Sequence, residues 1–339
     1  MSFPYPAGKL PARELARLLD LYTQRDDRVV VGPGIGRDAA VISFPDRYLV
    51  AKTDPVTFAT DQIGWYAVHV NANDVAAMGG TPRWFLATIL LPEGKPGSVE
   101  VEAIFSQIFK ACQELGVALC GGHTEITCGL DRPIVVGQML GEVAKDKLVI
   151  SERICPGDEI LLTKGIAIEG TALVAREHKG IQGLLGEEET QRCRDLLQNP
   201  GISVVREARI AIGVAEVHAM HDPTEGGLAV GLHELAQASG VGLTVIMEKI
   251  PILPETVRLC RELKLDPLGL ISSGALLIVA PAPEVKKIEA ALRAEGIRVA
   301  QIGQMGEAGT GVKLSQHGQI ADLPYFNRDE VARLFAGGQ

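Results

Sequence analysis

The sequence predicts a two-domain chain of mixed α and β structure, and three observations carry that expectation. A length of 339 residues suffices for two domains that each bury a core. Short apolar, β-branched runs alternate with stretches of helical periodicity along the chain. Pro156-Gly157 then breaks the pattern near the middle, which sets the expected domains at residues 1–155 and 156–339.

Taken in order, residues 11–22 carry helical periodicity, with Pro11 at a position that a helix start tolerates. Val29–Val31 reads as a short strand. Gly32-Pro-Gly-Ile-Gly36 follows, a loop that brings backbone amides toward an anion or simply turns the chain. It is neither a Walker A loop nor a dinucleotide fingerprint. Ala39–Phe44 and Tyr48–Ala51 read as two strands joined at Pro45-Asp46. From Trp65 to Met78 the apolar residues Ala67, Val68, Val70, Val75 and Met78 recur at helical spacing. Asn71, Asn73 and Asp74 are set into that helix, and such groups are costly to bury without partners. Trp84–Leu91 reads as a buried-type strand and Val99–Leu115 as a helix. Val117–Cys120 reads as a strand running into Gly121-Gly-His-Thr-Glu125, and Ile134–Val143 as another strand.

Past Gly157, Asp158–Lys164 predicts a strand entering a turn at Gly165, and Thr171–Glu177 a helix. Gly180–Glu189, with its glycines and glutamates, reads as a mobile surface segment. Val204–Val217 predicts a helix, and His221-Asp-Pro-Thr-Glu-Gly-Gly227 introduces another at Leu228–Gln237. Strands at Leu243–Met247, Ala275–Ala280 and Val299–Ile302 alternate with helices near 255–264 and 284–294.

Composition narrows the function classes. The chain is 46% hydrophobic and 22% charged, as in ordinary globular proteins. Only 4% of residues are aromatic, which argues against stacking on single-stranded nucleic acid. A net charge of −9 disfavours nucleic acid and anionic membranes as partners. It leaves room for an anionic nucleotide, because a metal and backbone amides reverse the field locally. Met1–Pro6 has no basic stretch followed by an apolar core, and no apolar run is long enough to span a membrane. Six dispersed cysteines fit a reducing compartment. A cytoplasmic protein is expected.

Asp38, Asp54 and Asp74 fall at a turn, a strand end and a helix, where a fold could converge them. Singly each suits a cap or turn. Together with Asn71 and Asn73 they point to Mg²⁺ between carboxylates and phosphates. Gly121–Glu125 reads either as a strand-end ligand site or as a tight turn capped by His123 and Glu125. Cys120, His123 and Cys128 could be metal ligands, but they lack a Cys-x-x-Cys pair and a fourth ligand. Asp222–Gly227 reads as a helix start whose amides receive an anion, or as a helix capped by Thr224. Lys164 is either a phosphate-neutralising cation or a surface lysine.

Taken together, Gly36-Arg-Asp-Ala-Ala-Val41, Thr53-Asp54, Asn73–Pro82, Gly121–Glu125, Gly157–Lys164, Asp222–Leu228 and Leu265-Asp-Pro-Leu268 resemble a superfamily. Its members are aminoimidazole ribonucleotide (AIR) synthetase, thiamine monophosphate kinase, selenophosphate synthetase and the hydrogenase maturation protein HypE. The last two motifs are most similar to the HypE branch. The resemblance implies a PurM-like fold, with an N-terminal α/β domain whose sheet pairs with a second subunit and a C-terminal α+β domain. It also implies a homodimer that uses ATP and Mg²⁺ to phosphorylate a small-molecule or partner-protein acceptor. On that model Asp38, Asp54 and Asp74 hold the metal. Asn73 and the Gly121-Gly122 amides, with His123 and Thr124, meet the nucleotide, and Asp222, Gly226 and Gly227 close the phosphate region.

Departures from the HypE pattern are visible too. HypE ends in Pro-Arg-Ile-Cys, where this sequence ends Phe335-Ala-Gly-Gly-Gln339. HypE has Asn-Glu-Gly-Lys where this chain has Ser272-Ser-Gly-Ala275, and the usual Gly-Asp-Asp is Gly36-Arg37-Asp38. The expected function is HypE-like, Mg-ATP-dependent activation of a carboxamide-type acceptor. A small-molecule kinase resembling thiamine monophosphate kinase and a non-catalytic nucleotide-binding regulator are the alternatives.

Overall fold

The computed structural model describes residues 10–24, 26–95 and 97–336. The readings of Met1–Pro6 and of the final Gly-Gly-Gln lie outside them. The chain divides into two compact units. An N-terminal unit comprises residues 26–32 and 38–148. A C-terminal unit holds residues 33–37, everything described from 149 onward, and the first helix, α1 (Ala12–Tyr22).

The N-terminal unit is one sheet covered on one face by two helices. In chain order its elements are β1 (Val29–Val31), β2 (Ala40–Ser43), β3 (Tyr48–Val56), α2 (Ile63–Ala77), β4 (Thr81–Pro92), α3 (Ser98–Leu115), β5 (Ala118–Thr127) and β6 (Ile134–Val143). The strand order is β1-β2-β3-β6-β4-β5, antiparallel except for the β4–β5 pair. Pro45-Asp46 turns the β2–β3 hairpin as its sequence predicts, with Ser43 opposite Tyr48. Helix α2 is mostly apolar around its circumference because it is enclosed: Tyr66, Ala67, Val68, Ala72 and Val75 are fully buried. Two glycines of β6 let it lie on the sheet. A Cβ at Gly137 would strike the Asn71 side chain, and one at Gly141 would strike Val75.

Strand β4 departs from the fully buried strand its sequence suggests. Phe85, Ala87, Ile89 and Leu91 face the helices and are buried, whereas Trp84, Leu86, Thr88 and Leu90 face outward. The glycine pair Gly121-Gly122 does not turn the chain. Strand β5 runs through it to Thr127 along the sheet edge, with Gly121 opposite Leu86 and Gly122 opposite Ala87.

In the C-terminal unit the order is β7 (Glu159–Thr163), α4 (Ile168–Glu177), α5 (Ile181–Leu185), α6 (Glu187–Asp195), α7 (Val205–Val214), β8 (Ala219–His221), α8 (Gly227–Ser239), β9 (Leu243–Ile246), α9 (Pro254–Leu263), β10 (Leu277–Ala280), α10 (Ala282–Ala294), β11 (Val299–Met305), β12 (Val312–Gln316), β13 (Gln319–Asp322) and α11 (Glu330–Ala336). Its sheet runs β13-β12-β9-β11-β7-β10-β8 and is antiparallel apart from the β9–β12 pair. Leu228, Leu232 and Leu235 of α8 pack with Ile160, Leu162, Leu277, Val279 and Ile302 of the sheet. Gly180–Glu189, read as a mobile surface segment, instead forms α5 and the start of α6, anchored by buried Ile181 and Leu185.

Lys164 lies at the end of β7 and is neither a surface lysine nor a phosphate contact. Its ammonium donates to the carbonyls of Gly201 (3.0 Å) and Ser203 (2.6 Å) and pairs with Glu207 at 3.0 Å. Both side chains of the pair are only 6% exposed. Burial pulls the Lys164 pKa down, and Glu207 opposes it.

A candidate metal and nucleotide site

In the N-terminal unit, pleating puts Val50, Lys52 and Asp54 on one face of β3, the face toward α2. Val50 is fully buried, so the strand carries Lys52 and Asp54 outward from the core along the same side. Asn71 of α2 fixes their register. Its side-chain carbonyl accepts the Asp54 N–H at 2.8 Å, and its amide donates to the backbone carbonyls of Ala67 (2.8 Å) and Asp54 (3.3 Å). Three residues along, one turn of helix brings Asp74 toward the same place. The Lys52 ammonium bridges the two acids, 3.2 Å from Asp54 and 3.1 Å from Asp74. Asp38, just ahead of β2, brings a carboxylate oxygen within 4.8 Å of one on Asp74.

Asp38, Asp74, Asn71 and Asn73 are all buried, while Asp54 remains half-exposed. The arrangement is therefore a cluster of carboxylates, with one lysine already neutralising part of their charge. Its donors are hard oxygens and include no thiolate or imidazole. That chemistry suits Mg²⁺, which is typically held by one or two carboxylates and completes its shell with phosphate and water. The residues fit the metal.

In the C-terminal unit, β8 ends at His221 and is followed by Asp222, which is 1% exposed. Gly226 and Gly227 follow with φ of +82° and +65°, a left-handed pair that starts α8. A Cβ on Gly227 would run into the carbonyls of Leu268 and Leu270. The Gly227 N–H donates to Thr224 O at 3.0 Å, and the Gly226 N–H donates to Asp329 Oδ2 at 2.6 Å. Asp329 Oδ1 takes the Val331 N–H at 2.7 Å. The amides expected to face an external anion are thus engaged within the chain, and a carboxylate from just before α11 occupies the positive end of α8.

Burial drives the Asp329 pKa up to about 7, against the opposing backbone hydrogen bonds. The native state therefore holds a proton there that the unfolded chain, with an ordinary value near 4, has already released. Stability contributed at this site falls as pH rises from about 4 through about 7. Replacing Asp329 by Asn is expected to flatten that decline in melting temperature. An unchanged slope would place the titration elsewhere.

A model of the AIR synthase related protein N-terminal domain matches residues 36–143, and one of its C-terminal domain matches residues 155–314. A putative hydrogenase expression/formation protein of Methanocaldococcus jannaschii is 31% identical, over 89% of this chain and 87% of that one. The chain belongs to the AIR synthase-related family. A carbamoyl dehydratase HypE of Rhizobium leguminosarum bv. viciae is 30% identical to this AIR synthase-related protein, over 90% of this chain and 82% of its own. A crystal structure of the hydrogenase maturation protein HypE in complex with ATP shares the fold. It superposes with a TM-score of 0.71 at 23% identity, covering 97% of this chain and 98% of that one.

Within this AIR synthase-related chain the structure brings Asp38 next to Asp74, links Asp54 to Asp74 through Lys52, and buries Asn73 on the same helix as Asp74. It puts Gly121, Gly122, His123 and Thr124 on an exposed edge strand, where His123 lies 3.5 Å from Glu125 on the same face. Arg37 pairs with Glu152 at 3.0 Å. Sequence reasoning passed over Lys52, and the signal available was its spacing of two from Asp54 on a strand. It also assigned Asn71 to ligand binding, whereas the side chain clamps α2 to β3. The buried cysteines Cys112, Cys193 and Cys260 have thiols pushed up to about 11, 12 and 12 by burial, so they stay protonated. Cys120, Cys128 and Cys155 are exposed, and all six cysteines are free.

Proposed function

We propose that the chain is a Mg-ATP-dependent enzyme that activates a small oxygen-bearing acceptor of carboxamide type by phosphoryl transfer, in the service of hydrogenase maturation. The observation that carries this reading is the Lys52 bridge between Asp54 and Asp74, with a carboxylate oxygen of Asp38 within 4.8 Å of one on Asp74. The family membership, the carbamoyl dehydratase relatives and the ATP complex of HypE support it. Asp38, Asp54 and Asp74 would hold Mg²⁺, which would screen the phosphate charge when bound. The protein's own part is positioning: Asn71 fixes Asp54, Asn73 faces the nucleotide, and Lys52 supplies a mobile positive charge as phosphates arrive.

A melting curve with Mg-ATP, repeated with EDTA, tests the nucleotide half, because a ligand of the folded state raises the melting temperature by mass action. ADP release stimulated by a carbamoylated cysteine peptide then tests the acceptor half. Stimulation by thiamine monophosphate alone would move the chain to the small-molecule kinases.

We further propose that the working form is a homodimer built on the N-terminal sheet. Trp84, Leu86, Leu90, Ile134, Val136 and Leu140 form an apolar outer face that no helix covers among the described residues. Beside it, the ten-residue edge strand β5 exposes Leu119 and Ile126. An uncovered face and edge of this kind invite a second copy. Ile126→Glu is expected to shift the mass measured by light scattering from dimer to monomer. A monomeric wild type would remove the assignment.

A further inference from the structure

Strand β3 carries two side chains of opposite charge, Lys52 and Asp54, two residues apart on one face. On an open strand such neighbours pair weakly. Here a third group draws them in. Asp74 of α2 has a side chain only 5% exposed, and the Lys52 ammonium lies 3.1 Å from it and 3.2 Å from Asp54. The lysine side chain is itself 18% exposed, so its charge is committed to two acids from different elements. Asp38 adds a third carboxylate, within 4.8 Å of Asp74.

A cation between two carboxylates is also the way in which a divalent ion is held, and the two cations exclude each other. Mg²⁺ needs its oxygen ligands at about 2.0–2.1 Å in near-octahedral order. An ammonium a few ångströms away on the same oxygens repels it. One of the partners must give way, and the backbone decides which. The Asp54 N–H is held by Asn71 at 2.8 Å, and Asp74 sits on the last turns of α2. Lys52 ends a flexible four-carbon stem and binds as a point charge, without the fixed fork of an arginine. It is the group built to leave.

We propose that Lys52 is an internal counter-ion that closes the Asp54–Asp74 pair to free divalent cations and yields it to a metal that arrives with an anionic nucleotide. This rests on the metal and nucleotide reading above. To admit a free ion, Lys52 must give up both carboxylates for water. To admit a metal–nucleotide complex, it exchanges them for phosphate oxygens, which an ammonium binds with charge-assisted hydrogen bonds. Metal and nucleotide are thereby coupled, each raising the affinity for the other by the same factor. The same lysine relieves the repulsion between Asp54 and Asp74 before the metal enters.

The test uses the full chain, its Lys52→Met and Lys52→Arg variants, and Mn²⁺ alone as the probe, followed by the loss of the free-ion signal in electron paramagnetic resonance. Lys52→Met is expected to bind Mn²⁺ about tenfold or more tighter than wild type in the absence of nucleotide. It is also expected to melt lower than wild type in EDTA and to recover when Mn²⁺ is added. Adding Asp74→Asn to Lys52→Met is expected to abolish both gains. Lys52→Arg keeps the charge and is expected to follow wild type. An arginine variant that binds Mn²⁺ as Lys52→Met does would show that bulk rather than charge is at issue, and would overturn the proposal. So would a Lys52→Met variant that neither gains Mn²⁺ nor is rescued by it, since Lys52 would then be a structural ion-pair partner alone. Binding of Mn²⁺ alone by wild type at micromolar concentration, lost in Asp74→Asn, overturns it without recourse to the lysine variants. A wild type without a Mg-ATP melting shift overturns the nucleotide reading, whereas the gain of Mn²⁺ is read without ATP and stands or falls separately.

Discussion

Asp74→Asn is expected to abolish the Mg-dependent rise in melting temperature that ATP gives the wild type, and Asp54→Asn to do the same. Both changes keep the size and hydrogen-bonding reach of the side chain and remove one negative charge. In each variant Lys52 loses one of the two carboxylates it bridges but keeps the other, so the fold survives. The metal loses a hard anionic donor from a set of three. At an ATP concentration of 100 Kd the wild type gains about 2.7 kcal/mol. That corresponds to roughly 4 °C for a chain of 339 residues. The variants forfeit that gain while melting without ligand within a few degrees of wild type. A wild-type Mg-dependent shift in both variants would remove the metal assignment.

Lys164→Met is expected to produce the largest loss of stability of any single change considered. It removes the cation from a pair enclosed on all sides and leaves Glu207, itself 4% exposed, as an uncompensated charge. The carbonyls of Gly201 and Ser203 lose their donor as well. Breaking one side of a buried pair costs about 3–5 kcal/mol, whereas replacing both sides by groups of similar volume is often near neutral. The double variant Lys164→Met/Glu207→Leu is therefore expected to recover much of the loss in a chemical denaturation midpoint. A single variant that unfolds like wild type would mean that water reaches the pair.

The candidate metal site was largely legible because its parts are local. Asp54 sits on a strand of alternating burial, and Asp74 is the one charged residue of a mostly apolar helix, so each acid stands out against its own element. The features that escaped depend on distant partners. Lys164 finds Glu207 and the carbonyls of Gly201 and Ser203 about 40 residues on, which no local pattern encodes. Asp329 reaches the Gly226 amide across 103 residues. The glycine pair at Gly121-Gly122 reads as a turn by local propensity, yet pairing with β4 carries the strand through it. Gly180–Glu189 misled in the same way, because burial of Ile181 and Leu185 offsets the helix-breaking cost of its glycines.

The loop at residues 33–37 belongs to the C-terminal unit although it lies inside the sequence of the N-terminal one. Gly36 adopts φ +69° where a Cβ would come 2.5 Å from the Glu234 carbonyl, so that loop is shaped by a helix not yet made when Gly36 leaves the ribosome. About 200 residues separate the two. At synthesis rates of roughly 5–20 residues per second the loop waits on the order of 10–40 s for its seat. The N-terminal unit that carries Asp54 and Asp74 can close during that interval, since its last strand ends at Val143. The second half of α8 therefore acts as a clock for the nascent chain, and a pause in translation before residue 234 would lengthen the period in which Pro33–Arg37 is open to proteases.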